Sequence, residues 1–129
     1  MWTGLSPALR FARSWASPPS QLIDREVRVP IPPSGAPIPG TVISGRGSRE
    51  RRGWIVLHGM TRPGRAHPEL VRFVRAVAST GARVLVPEVR AWTELRFAPE
   101  RAQTVVRASI TWLSEQEGSA PGGVVLVGF

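Results

Sequence analysis

The chain offers a narrow set of groups for covalent or acid–base chemistry. Its 129 residues hold no Cys, no Lys and no Tyr. That removes a cysteine nucleophile, a thiolate zinc site, a disulfide framework, a Schiff-base or phosphate-loop lysine and a tyrosine acid. What remains is His58 and His67, Glu69 beside the second histidine, scattered serines and 17 arginines. The two histidines stand nine residues apart in a loop, a separation with no ligand geometry, so no metal is expected. Four arginines, Arg46, Arg49, Arg51 and Arg52, crowd the polar loop from Gly45 to Arg52. Their chemistry would suit a phosphate, but a solvated loop is the favoured reading. Gly45-x-Gly47 lacks a third glycine and precedes a strand, whereas a dinucleotide fingerprint follows a strand and opens a helix. No cofactor is expected.

The elements that must position these groups follow from periodicity. Residues 6–16 read as a short helix, with Ser6 as cap, Pro7 in the first turn, and Leu9, Trp15 and Ala12/Ala16 partly on one side. Ser17-Pro18-Pro19-Ser20 stops it. Val27, Val29 and Ile31 alternate with polar neighbours, as in a half-buried strand over 26–31. A turn-rich break from Pro32 to Pro39 and a second β-prone run within Ile38–Ser44 complete an antiparallel pair at a sheet edge. From Gly53 the pattern changes. Trp54-Ile55-Val56-Leu57, Arg83-Val84-Leu85-Val86 and Val124-Val125-Leu126-Val127 are short apolar runs of the kind buried on both faces of a parallel sheet. Between them lie two helical patterns. The first runs from about Pro68 to Thr80, with Leu70, Val74, Val77 and Ala78 inward. The second runs from Pro99 to about Glu117, with Ala102, Val105 or Val106, Ser109, Ile110 and Leu113 inward. Residues 53–129 are therefore expected to fold β-α-β-α-β with right-handed crossovers, in the α/β class. The expected organisation is an amino-terminal arm, 1–24, and one domain, 25–129.

Composition sets outer bounds. Apolar residues make up 42 % and charged residues 20 %, which fits a globular chain with its own core. The net charge is +8 and uneven, with nine Arg and three acids in residues 1–64 against eight Arg and six acids in 65–129. All-Arg usage is read here chiefly as compositional bias of the source genome. No apolar run is long enough to span a bilayer, and Arg10 and Arg13 interrupt the place where a signal peptide carries its apolar stretch. A cytoplasmic location without membrane or specific nucleic-acid partners is expected, and no feature fixes an oligomeric state. The last apolar run stops two residues before Phe129, which would leave a flat apolar edge. The expectation is a fragment whose sheet is cut at a central strand.

Three segments carry a family resemblance. Trp54-Ile55-Val56-Leu57-His58-Gly59-Met60 resembles the strand and His-Gly-x turn of α/β-hydrolases. Val84-Leu85-Val86-Pro87-Glu88-Val89-Arg90 resembles the next strand and its Pro-Asp-x-Arg exit, although Ala91-Trp92 replaces the glycines common there. Val124-Val125-Leu126-Val127-Gly128-Phe129 resembles the strand entering the nucleophile elbow, Gly-x-Ser-x-Gly, with Gly128 as first glycine, Phe129 as x, and the serine next. The resemblance covers about residues 25–129. It implies a three-layer α/β-hydrolase sheet and a serine hydrolase that cleaves esters or thioesters through an acyl-enzyme. It also implies an oxyanion loop at His58, Gly59 and Met60, with the Met60 N–H as one donor. Losing such a donor typically costs about 3 kcal/mol or more. Gly59 lets the backbone turn toward substrate, and the His58 side chain holds the loop rather than acting as base.

No complete Gly-x-Ser-x-Gly occurs. Ser119, in Gly118-Ser119-Ala120-Pro121-Gly122, has the wrong spacing. Acid and histidine follow the serine in this family, so all three triad positions are expected beyond Phe129 and the 129 residues are expected to be inactive. Three rivals remain: a non-catalytic hydrolase-like binding module, an arginine-rich polyanion binder with steep salt dependence, and, more weakly, a nucleotide-binding α/β protein.

Overall fold

A computed structural model describes residues 6–17, 21–46 and 50–129. Pro18, Pro19, Ser20, Gly47 and Arg49 lie outside the described residues. Helix α1 spans Pro7–Ala16, and the Ser6 hydroxyl accepts the Leu9 N–H at 3.3 Å. Its apolar side is built on Phe11 and Trp15, whose rings stack with centroids 6.0 Å apart, while Leu9 is exposed. The difference from the sequence reading has a tertiary cause. α1 covers another helix, not the sheet. Phe11 meets Phe73 edge-on, and the Arg72 guanidinium lies 4.3 Å from the centre of the Trp15 ring while its Nε donates to the Trp15 carbonyl.

Strands β1 (Ile23–Ile31) and β2 (Gly35–Ser44) form an antiparallel pair with Ile23 opposite Ser44 and Val29 opposite Ile38. Both are longer than the apolar alternation indicated, because pairing holds polar residues in the ladder. The remaining elements are β3 (Arg51–Leu57), α2 (Pro68–Ala78), β4 (Arg83–Pro87), a short α3 (Arg90–Thr93), α4 (Pro99–Ser114) and β5 (Ser119–Gly128). The sheet order is β1-β2-β4-β3-β5, with β3 parallel to both β4 and β5.

Strand alternation divides the core between two faces. Val29, Val42, Ile55 and Leu85 pack with Val105, Ala108 and Leu113 of α4. Ile43, Val56, Val84 and Val86 pack with Leu70, Val74 and Val77 of α2. The molecule is thus three-layered, with α1 added outside α2. The chain steps outward from β3 to β4 through α2, then back past β3 to β5 through α4 on the opposite face. Reversing direction and face together keeps both crossovers the same hand. It also brings the carboxyl ends of β3 and β5 side by side, which is where open α/β sheets bind ligands.

One expectation about burial is corrected. On α4 the buried face is Val105, Ala108, Ser109 and Leu113, and Ile110 lies at the surface. Gly53 sets this face, since a Cβ there would come within 2.8 Å of Leu113 Cδ2. Strand β5 is the outer strand of the described sheet, the apolar edge expected from the sequence. Val124 and Val127 reach the two cores, Leu126 is 50 % exposed, and no described strand pairs with the outer edge of β5.

Candidate functional site

The His-Gly turn leaves the carboxyl end of β3 and is pinned at its first residue. His58 is 1 % exposed. Its Nε2 accepts the Val89 N–H at 2.9 Å, and its Nδ1 lies 2.8 Å from the Gly59 carbonyl. A ring that accepts at Nε2 donates from Nδ1, so the neutral Nδ1–H form satisfies both contacts. Trp92 meets the ring edge-on at 5.9 Å. With both nitrogens engaged in the protein, the imidazole supports the loop and has no free nitrogen to serve as a base.

Gly59 faces the end of β5. A Cβ there would stand 3.2 Å from the Phe129 carbonyl oxygen, closer than side chains normally approach. The Phe129 N–H donates to the Leu57 carbonyl at 2.9 Å, which continues the β3–β5 ladder beyond Gly128. The Met60 side chain is exposed, and among the described residues no hydrogen bond engages the Met60 N–H. The Thr61 N–H returns to the Gly59 carbonyl across Met60, and the Gly64 N–H bonds Thr61, so the turn is closed around Met60 and just after it. Gly59, Thr61, His67, Leu70 and Phe129 line a recess of about 60 Å³, room for a water or two. At Gly128 a Cβ would meet open space among the described residues.

His67 is a helix cap. Its Nδ1 accepts the Glu69 N–H at 3.3 Å at the start of α2. Among the described residues no group of three or more His, Asp or Glu side chains could hold a metal ion.

The arginine-rich loop corrects the expectation of a solvated segment in part. Arg51 is 3 % exposed, is the first residue of β3, and its Nη2 donates to the Arg46 carbonyl. Arg52 Nη1 donates to the carbonyls of Gly122 and Gly123, two glycines held at positive φ. Both guanidinium groups thus hold backbone in place. The local run of charge could not reveal this, because the carbonyls that Arg52 binds lie about seventy residues away in sequence.

Sequence reasoning missed the far anchor of the turn. Arg65, in a 3₁₀ turn over Gly64–Ala66, donates to Thr41 Oγ1 at 2.6 Å and to both oxygens of Glu26 at 3.0–3.1 Å. A second nitrogen, Nη2, reaches Glu88 at 3.4 Å. Partial burial raises the Glu26 carboxyl, but hydrogen bonds from Thr41 and Arg65 and the charges of Arg65 and Arg28 outweigh it and hold the group below the ordinary carboxylate range. Glu88 stands where the family pattern has Asp. No spacing rule joins residues 26, 41, 65 and 88, and only the sheet brings them together.

No protein-family model matches the sequence, and no curated protein is similar to it. Solved structures are similar in shape. The esterase Est22 superimposes with a TM-score of 0.71 at 15 % identity, covering 94 % of this chain and 40 % of Est22. Brefeldin A esterase, a bacterial homologue of human hormone-sensitive lipase, gives 0.66 at 18 % identity over 99 % of this chain and 42 % of its own. A putative dienelactone hydrolase from Klebsiella pneumoniae gives 0.58 at 18 % identity over 84 % and 50 %. The chain therefore has the α/β-hydrolase fold, with five strands in the described sheet. It spans about 40–50 % of the length of these structures. Among the described residues no helix is long and apolar enough to cross a membrane.

Proposed function

We propose that these residues form the oxyanion-loop half of a serine hydrolase acting on small carboxylic esters or thioesters. The observation that carries this reading is the juxtaposition of His58-Gly59-Met60 with Gly128-Phe129 at the carboxyl ends of adjacent parallel strands, with no partner for the Met60 N–H among the described residues. Acyl transfer places negative charge on a carbonyl oxygen, and a preorganised backbone N–H stabilises that charge without reorganisation. In this reading Met60 supplies one donor. Gly128 opens the nucleophile turn, and the residue after Phe129 is the serine. The second donor, the acid and the base lie further on in the same protein, so residues 1–129 alone do not turn over ester.

Two measurements test it together. The coding sequence is read past codon 129, where Ser-x-Gly is expected, with an acid and a histidine downstream. Purified 1–129 is then incubated with a fluorophosphonate probe and an activated ester. The expected result is no probe labelling and no serine-dependent turnover by this chain. A verified stop codon directly after Phe129 would overturn the serine-hydrolase reading and favour a non-catalytic module. Turnover by 1–129 that disappears on substituting one of its own serines would overturn the assignment of the nucleophile.

A further inference from the structure

We infer that Arg65 is a positioning residue that fixes the direction of the Met60 N–H by clamping the far end of the His-Gly turn to strands β1 and β2 and to the exit of β4. The inference rests on the hydrolase reading for its purpose, while the clamp itself stands on geometry. The turn from His58 to Ala66 is nine residues long and must present one backbone donor in a fixed direction. A loop that leaves a strand is anchored at its start by the strand itself and, here, by His58 on the Val89 N–H. Its other end has no ladder to hold it. Arg65 supplies the anchor.

The Arg65 side chain is 19 % exposed, and its two terminal nitrogens carry the contacts, while Nε is buried without a partner among the described residues. Nη1 binds Glu26 on β1 and Thr41 on β2, and Nη2 binds Glu88 at the exit of β4. Thr41 Oγ1 in turn donates to Glu26 Oε1 at 2.8 Å, which orients the carboxylate that receives Arg65. A planar fork can satisfy partners in several directions at once, and a lysine ammonium is a single point of charge on a flexible stem. Both tethers of the turn converge on the segment after β4. His58 holds Val89, Arg65 holds Glu88, and Gly64, at φ +53°, packs where a Cβ would come within 2.6 Å of Thr93 Cγ2. The exit of β4 is therefore the wall against which the donor loop is set, which gives Glu88 a role.

The test uses ¹⁵N relaxation on the 129-residue chain, with backbone order parameters read at Gly59, Met60, Thr61 and Arg62 together with the unfolding temperature. In the wild type these amides are expected near the rigid value of about 0.85, and in Arg65→Gln they should fall toward the flexible range below about 0.6 while strand amides hold. Arg65→Lys should restore part of the loss. A role confined to general stability would lower the unfolding temperature without a selective fall at the turn, and would overturn the proposal. So would unchanged order parameters in a folded Arg65→Gln chain. If Arg65→Gln does not fold, the double variant Glu26→Gln/Glu88→Gln weakens the same clamp with Arg65 in place and gives the same two readings. Failure here leaves the hydrolase reading standing, because the sequence past Phe129 tests that separately.

Discussion

Replacing His58 by Phe tests whether the buried imidazole carries the turn. The substitution keeps an aromatic ring beside Trp92 and removes both nitrogens. The Gly59 carbonyl retains the Thr61 N–H, so it is not orphaned. The Val89 N–H loses its acceptor, and Val89 is fully buried. An unsatisfied buried donor costs about 1–3 kcal/mol, and the lost Nδ1–H bond adds about 1 kcal/mol. The total of about 2–4 kcal/mol is a large share of the stability of a single domain. For a chain of this size about 1 kcal/mol moves the midpoint by about 4 °C, so the unfolding temperature should fall by about 8–16 °C. Circular dichroism on heating measures the midpoint, and an ¹H–¹⁵N spectrum follows the Val89 amide, whose resonance should shift most. An unfolding temperature within about 2 °C of wild type would refute the reasoning. The His58–Val89 bond would then not bear on stability, and the turn would have to be held by other contacts.

Further outcomes follow from the same geometry. Gly53→Ala should destabilise by about 1–3 kcal/mol through overpacking, because its Cβ would meet Leu113 Cδ2 at 2.8 Å and Val124 Cγ1 at 3.0 Å; urea unfolding checks it. Gly64→Ala should cost at least as much, since a positive φ is added to a clash with Thr93, and the loss should come with broadened turn resonances. Glu26 is held below its ordinary pKa, so its stabilising contribution is present above the unfolded-state value and is lost as pH falls through the folded one. The difference in unfolding temperature between wild type and Glu26→Gln should therefore shrink from about pH 6 to about pH 3, and it should shrink with added salt because the carboxylate is largely exposed. Leu126→Lys, at a half-exposed position on the edge strand, should leave the unfolding temperature nearly unchanged and reduce self-association seen by gel filtration at rising concentration.

The sequence by itself determined the elements and their faces wherever the information is periodic. Leu70, Val74, Val77 and Ala78 recur at helical spacing, and all four are buried in α2. The unbroken apolar runs at 54–57 and 84–86 became the two inner parallel strands, because a strand covered on both faces has no polar side to show. The His-Gly turn was legible because its position at a strand end is local. Tertiary structure alone decided the rest. Arg51 and Arg52 belong to a run of charge that looks solvated until the carbonyls of Arg46, Gly122 and Gly123 arrive beside it. Ala108 rather than Ile110 faces the sheet, on the same side of α4 as Leu113, which packs against Gly53 of another element. Leu126 lies half exposed in a run as apolar as the buried strands, because exposure depends on what packs over and beside a strand and not on its composition. Arg65 was silent in the sequence for the same reason. A hydrogen-bond network across residues 26, 41, 65 and 88 has no period to detect, and it exists only once β1, β2 and β4 stand side by side.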